Sequence, residues 1–308
     1  MTDLSIQLAP SHAKGLRLAN PVMVASGTFG YGIEYAELVE IQKLGAIVCK
    51  GTTLHPRSGN HQPRLLETSP GILNSIGLQN IGVEALIRDK APIWASWQVP
   101  VIVNIAGDTV EEYAQIASRL EGVQGISSIE INISCPNIAH GGMEFGIDPK
   151  MASEVTKCVK SSTSLPVIVK LPPGAADIVE VAAAVSQAGA DAITLVNTLR
   201  GTVIDTAKRR PVFGNTYGGL SGPAIKAIAL HMVYKVASEV EIPIIGCGGI
   251  ASATDALEFI MAGATAVQVG TANLSDPRTP INVLHGIEQF CEKEGIKRIG
   301  DIVGIAQR

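Results

Sequence analysis

The sequence predicts an α/β protein, a (β/α)8 TIM barrel. Three observations carry this: eight short β-branched runs, helical character after each, and no break in composition along the chain. The runs are Val22–Ala25, Ala46–Cys49, Val101–Asn104, Ser128–Asn132, Val167–Lys170, Ala192–Val196, Ile242–Gly246 and Ala266–Val269. They read as continuously apolar rather than alternating, which suits strands buried on both faces of a parallel sheet. A chain of 308 residues that is 46% hydrophobic and only 17% charged can fill such a core, which excludes disorder. One domain over residues 1–308 is expected; a doubly wound open sheet is the competing fold.

The elements follow in order. Ser5–Ala9 and Gly15–Ala19 alternate around a polar turn, a pattern for an N-terminal β-hairpin closing the bottom of the barrel. Crossover helices are predicted at Val110–Leu120, Pro149–Ser161, Ala175–Ala188, Pro223–Val240 and Ala253–Met261. Asp148 before Pro149 is a capping carboxylate ahead of a proline at the first helical position. Gly189 and Gly263 suit helix C-caps. Between the second and third runs lies a long segment punctuated by Gly59, Asn60, Pro63 and Gly71, and a loop that long in a compact barrel is usually functional.

Several classes are excluded. With 24 Lys and Arg against 28 Asp and Glu, the net charge of −4 argues against a binder of nucleic-acid backbones. No stretch approaches the roughly 18 apolar residues of a membrane span, and Met1–Ile6 lacks the charged start of a secretory signal. Five scattered cysteines without a C-x-x-C pair describe neither a disulfide framework nor a zinc or iron–sulfur site. A reduced, cytoplasmic setting is expected.

In such a barrel the chemistry gathers where strands end. Those positions hold Ser26-Gly27, Lys50-Gly51, Asn104, Asn132 to Asn137, Lys170, Asn197-Thr198, Gly248-Gly249 and Gly270-Thr271. Polar residues at so many strand ends imply a planar, hydrogen-bonding ligand across the mouth. The glycines after the seventh and eighth runs sit where barrels bind phosphate. Gly246-x-Gly248-x-x-Ala251 also meets a dinucleotide spacing, but the following run Ala266–Gly270 lacks the acidic residue that fold requires.

Cys135 stands among polar neighbours in a turn fixed by Pro136, a context for a catalytic thiol. Cys49, Cys158, Cys247 and Cys291 read instead as small core residues. No His adjoins Cys135, so hydrolytic nucleophilic catalysis is not supported. Lys50 and Lys170 end strands, where lysines ordinarily reach solvent or pair with a carboxylate. Two of them aimed at one mouth favour an anionic ligand or an electron-rich ring, and Lys170 would suit a flavin, whose reduced ring carries negative charge. Asn74–Leu78 could close over a substrate or form an ordinary turn. Lys208–Arg210 reads most simply as a solvated charge run, or else as a docking or lid element.

At these residues the sequence resembles the dihydroorotate dehydrogenase family, flavin barrels of pyrimidine biosynthesis. Cys49–Thr53, Asn74–Asn80, Asn132–Asn137, Asn197-Thr198, Gly218–Ala224 and Gly246–Ile250 carry the resemblance, which extends over nearly the whole chain. Ser26–Gly30, Ile76–Asn80 and His140–Gly142 resemble the NAD-linked class 1B more than the fumarate-linked class 1A. Cys135 in place of a serine, and the absence of an N-terminal apolar helix, argue against the membrane-bound class.

The resemblance implies oxidation of dihydroorotate to orotate, with Cys135 as the base. It implies that Lys50, Asn74, Ser75, Ile76, Gly77, Leu78, Asn132, Asn137, Asn197 and Thr198 hold substrate. It further implies that FMN is held by Ser26, Lys50, Gly51, Asn104, Asn132, Lys170, Val196, Gly222, Gly248, Gly249, Gly270 and Thr271. It implies no metal in this chain. A partner electron-transfer subunit carrying FAD and a 2Fe–2S cluster is expected, in a heterotetramer built on a dimer of this chain. The alternatives are another FMN barrel acting on a dihydropyrimidine ring, or the fumarate-linked class 1A enzyme.

Overall fold

The computed structural model describes residues 2–134, 136–137 and 143–307. Its centre is a closed barrel of eight parallel strands: β1 (Val22–Val24), β2 (Ala46–Val48), β3 (Val101–Ile105), β4 (Ser128–Asn132), β5 (Val167–Leu171), β6 (Ala192–Leu195), β7 (Ile244–Cys247) and β8 (Ala266–Val269). Each strand pairs with its neighbours in sequence, and β8 closes onto β1 through Val267 opposite Val22. All eight predicted runs are strands, and the closed order excludes the open doubly wound sheet. Every residue of β3 and β5 is buried, as expected where the barrel interior lies on one face and helices on the other.

Helices α1 (Val83–Asp89), α2 (Val110–Leu120), α3 (Pro149–Ser162), α4 (Ile178–Gln187), α5 (Lys226–Ala237), α6 (Ala253–Met261) and α7 (Thr279–Lys293) form the outer layer. Asp148 caps α3 by accepting from the Lys150 and Met151 amides. The predicted helix from Ala175 begins instead at Ile178, because Asp177 caps there by accepting from the Val179 amide. The stretch from Pro223 opens as a single 3-10 turn, and the α-helix starts only at Lys226. Helical character after β1 is also corrected. That connection holds only two 3-10 turns, Ile33–Tyr35 and Ile41–Lys43, with Gly30 and Gly32 at positive φ and Phe29 stacked on Tyr35 at 4.3 Å. Among the described residues no helix is long and apolar enough to cross a membrane.

At the N-terminal end of the barrel, Ile6–Gln7 and Arg17–Leu18 form the expected antiparallel hairpin. Its Leu8 and Leu18 are fully buried in the main apolar core. Lys14 ties the hairpin tip to the segments entering β4 and β5, donating to Ser164 Oγ at 2.7 Å and lying 4.0 Å from Glu121. Glu121 itself accepts from the Ser164 hydroxyl, the Thr163 hydroxyl and the Ser164 amide, which together hold its carboxyl down at about 2. The Lys208–Arg210 run lies on a short exposed hairpin, where Lys208 pairs with Asp205 at 3.2 Å.

Candidate active site

Above the C-terminal ends of the barrel strands lies a four-stranded antiparallel sheet that the runs did not reveal. Leu65–Thr68 pairs with Gly71–Asn74, which pairs with Gly218–Ser221, which pairs with Leu199–Gly201. This sheet brings the loop between β2 and β3 against the loop after β6. Asn74 thereby donates to the Gly219 carbonyl at 3.1 Å. Gly219 must be glycine, since a Cβ there would meet Thr198 Oγ1. Asn74 and Thr198, 124 positions apart, thus come to one place. The rest of the Asn74–Leu78 segment is pinned by Asn60, whose Nδ2 reaches the Ser75 carbonyl and hydroxyl at 3.0 and 3.2 Å. Gly77 and Leu78 take positive φ, and a side chain on Gly77 would strike Asn60. Asn60 was not among the residues predicted for the site.

Asn132 and Asn197 meet at the ends of β4 and β6. Asn197 Nδ2 donates to Asn132 Oδ1 at 3.1 Å and to Ser134 Oγ at 2.9 Å, while its own oxygen accepts from the Thr198 amide. The Tyr113 hydroxyl fixes the strand end by donating to the Asn132 carbonyl at 2.7 Å. The result is a ring of amides and hydroxyls on neighbouring strand ends. Cys135 lies outside the described residues. Of Asn137 only the backbone is described, in a short strand with Pro136 that pairs with Met143–Glu144.

On the opposite side, glycines converge. A Cβ on Gly222 would approach Gly71 at 2.9 Å and Thr271 at 3.4 Å, and one on Gly249 would stand 2.9 Å from the Gly222 carbonyl. Gly222, Gly248 and Gly249 all take positive φ, a conformation side chains other than glycine resist. Thr271 Oγ1 donates to Ser221 Oγ at 2.8 Å. Behind this cradle one carboxylate joins two helix starts. Asp255 accepts from the Ala251 and Ser252 amides and the Ser252 hydroxyl, and from Lys226 at 2.7 Å. Ser26 and Gly270 are half-buried at the ends of β1 and β8, and Val196 is buried at the end of β6.

Lys50 is half-buried at the rim. Burial lowers its pKa, with the Arg64 charge acting the same way and Glu34 opposing. Beneath the rim, Gly51 lies against Leu78 and Asn104: a Cβ on it would stand 3.0 Å from Asn104 Oδ1.

Inside the barrel the same floor is polar where an apolar layer was expected. Glu130 on β4 is fully buried. It accepts from Asn104 Nδ2 at 2.7 Å, Thr194 Oγ1 at 2.9 Å and Gln268 Nε2 at 2.7 Å. Gln268 in turn accepts from Lys170 Nζ at 3.2 Å, and the Cys247 thiol lies 3.8 Å from the same nitrogen. Burial opposes charge on Lys170, yet its pKa is raised by the neighbouring Cys247 sulfur and then by the Glu130 carboxylate, while burial pushes the Cys247 thiol up. Cys247 was expected to be a plain core residue and instead touches this lysine. Glu130, Thr194 and Gln268 were missed, although a lone polar residue at an alternate position of an apolar strand is a readable signal.

The family model described as dihydroorotate dehydrogenase matches residues 9–291. The chain belongs to the dihydroorotate dehydrogenase family. Similar members of the dihydroorotate dehydrogenase family include three described as the catalytic subunit of dihydroorotate dehydrogenase B (NAD(+)). The protein from Desulforamulus reducens is 57% identical over 94% of this chain and 96% of its own length. That from Geobacter metallireducens is 52% identical over 99% and 98%, and that from Desulforudis audaxviator 53% over 96% of each. Membership of the dihydroorotate dehydrogenase family, and the barrel, are as the sequence predicted.

Proposed function

We propose that this chain oxidises (S)-dihydroorotate to orotate in pyrimidine synthesis, as the catalytic subunit of an NAD-linked enzyme in the cytoplasm. The observation that carries the reading is the amide ring at the mouth, Asn74, Asn132, Asn197 and Thr198, set over a buried lysine. Alternating donors and acceptors of that kind suit the imide edges of a dihydropyrimidine carboxylate, and Lys50 at the rim suits its negative charge.

The residues also fit FMN. Asn104 Oδ1 is buried without a hydrogen-bond partner among the described residues, a cost of about 1–3 kcal/mol unless a ligand donor meets it. The FMN ring imide is such a donor. Lys170 lies in the floor below, and Gly222, Gly248, Gly249, Gly270 and Thr271 offer backbone amides and a hydroxyl for the phosphate. Ser26, Gly51 and Val196 would line the ring. When bound, FMN accepts the hydride that dihydroorotate loses.

The chain's own part is to hold and deprotonate. In this reading Cys135 takes the proton from carbon 5 of the substrate. Asn132, Asn137, Asn197 and Thr198 fix the ring, and Asn74 to Leu78, with Ser75, Ile76 and Gly77, cover it. The relatives' description as catalytic subunits supports a separate electron-transfer partner. We assign to that partner the FAD and the 2Fe–2S cluster, in a heterotetramer built on a homodimer of this chain.

The test is direct. Purified protein should be yellow or become so with FMN, and dihydroorotate should bleach it without oxygen. A preparation that binds FMN but is not bleached by dihydroorotate would overturn the substrate assignment.

A further inference from the structure

We infer that Glu130 is a positioning residue that sets which way the floor of the mouth presents its hydrogen bonds. The inference rests on the FMN reading above. A carboxylate only accepts hydrogen bonds, whereas an amide side chain can offer either end. Glu130 Oε1 takes Asn104 Nδ2, so the amide of Asn104 has one orientation, with its oxygen toward Gly51. Glu130 Oε2 takes Gln268 Nε2, so Gln268 turns its oxygen to Lys170. One buried carboxylate thereby decides that Asn104 offers an acceptor and that Lys170 is held by an acceptor. The residues come from β3, β4, β5 and β8, so the network crosses the barrel interior. Thr194 also donates to Glu130 Oε2 but leads to neither Asn104 nor Lys170.

The replacement Glu130→Gln keeps the shape and reverses this polarity. Its carbonyl would remain where Thr194 and Gln268 both donate, which puts the new NH2 against Asn104. Asn104 must then turn its oxygen inward and its NH2 toward the mouth, where an FMN ring N–H would meet a donor. Combining Glu130→Gln with Asn104→Asp restores the match. The carboxylate, now on residue 104, accepts from the amide below with one oxygen and leaves the other facing the mouth.

The experiment is FMN titration of the deflavinated protein by fluorescence quenching, with thermal melting to confirm folding. Glu130→Gln should weaken FMN about tenfold, the loss of one buried hydrogen bond. The combined variant should return to within about threefold of the parent, and Thr194→Val should bind FMN like the parent. If Glu130→Gln does not fold, the combined variant decides alone: tight FMN binding supports the assignment and weak binding overturns it. Unchanged affinity in Glu130→Gln, no rescue in the combined variant, or an equal loss in Thr194→Val would each overturn it while leaving the FMN reading intact. Failure of the parent itself to bind FMN would bring down both.

Discussion

The two ends of the barrel are built from opposite materials. The N-terminal end is sealed by a hairpin whose Leu8 and Leu18 vanish into the apolar core, the contacts around Glu121 are exposed, and its buried Asn20 and Ser128 donate to the backbone carbonyls of Lys43 and Pro166. The C-terminal end carries its polar groups inward: Asn104, Glu130, Lys170, Thr194 and Gln268 are all buried there. Buried polar groups are costly unless satisfied. One end is therefore made for stability, and the other spends stability on a surface that still has an acceptor to offer. Changes at the bottom should alter stability and leave ligand binding alone; changes to the groups that face or orient the mouth should weaken ligand binding.

Cys135→Ala tests the mouth most severely. If Cys135 is the base, dihydroorotate-dependent flavin reduction in a stopped-flow experiment should slow by about 10²- to 10⁴-fold, with orotate affinity little changed. An equal loss of rate and affinity would remove the base from the account. Leu18→Ala, at the other end, should lower unfolding free energy by about 2–5 kcal/mol in denaturant titration. FMN affinity of the folded protein should be unaltered, and a matching loss of FMN would show the two ends to be coupled.

Gly249→Ala is a smaller change at the mouth. Gly249 has φ of +72°, and its Cβ would stand 2.7 Å from that of Lys226. Forcing an L-residue into that region costs about 1–2 kcal/mol of folding free energy, and the backbone shift that relieves these contacts should displace the cradle amides and weaken FMN binding; unchanged binding would clear Gly249 from the cradle.

The smallest effect belongs to Glu121. Its folded pKa of about 2 lies below the ordinary 4.5, so its contribution is fully present above 4.5 and fades as pH falls toward 2. With its side chain 38% exposed, Glu121→Gln should cost under about 1 kcal/mol near neutral pH. Melting curves of parent and variant should converge as pH approaches 2; a gap that persists there would mean the loss is not electrostatic.

How much of this was readable in advance differs between the same two regions. Barrel strands announce themselves through local β-branched runs such as Val101–Asn104, because burial on both faces leaves no other composition. The strand-end residues followed from the fold. The sheet over the mouth did not, because Gly71–Asn74 and Gly218–Ser221 pair across nearly half of the chain, and glycine-rich, half-exposed strands lack a local pattern. Glu130 escaped for a different reason. Ser128-Ile-Glu-Ile-Asn reads as a continuous core strand, and although its alternate polar residues are legible locally, the common partners Asn104, Thr194 and Gln268 that give Glu130 its role lie on other strands.

Asp255 clasps the corner after β7 from two sides, gripping the backbone that enters α6 and the first side chain of α5 together. Neither helix can breathe at that end without prising open the other's fastening. Amide exchange at Ala251 and Ser252 should therefore rise in concert when Lys226 is shortened, and the corner should behave as one latch rather than two loose ends.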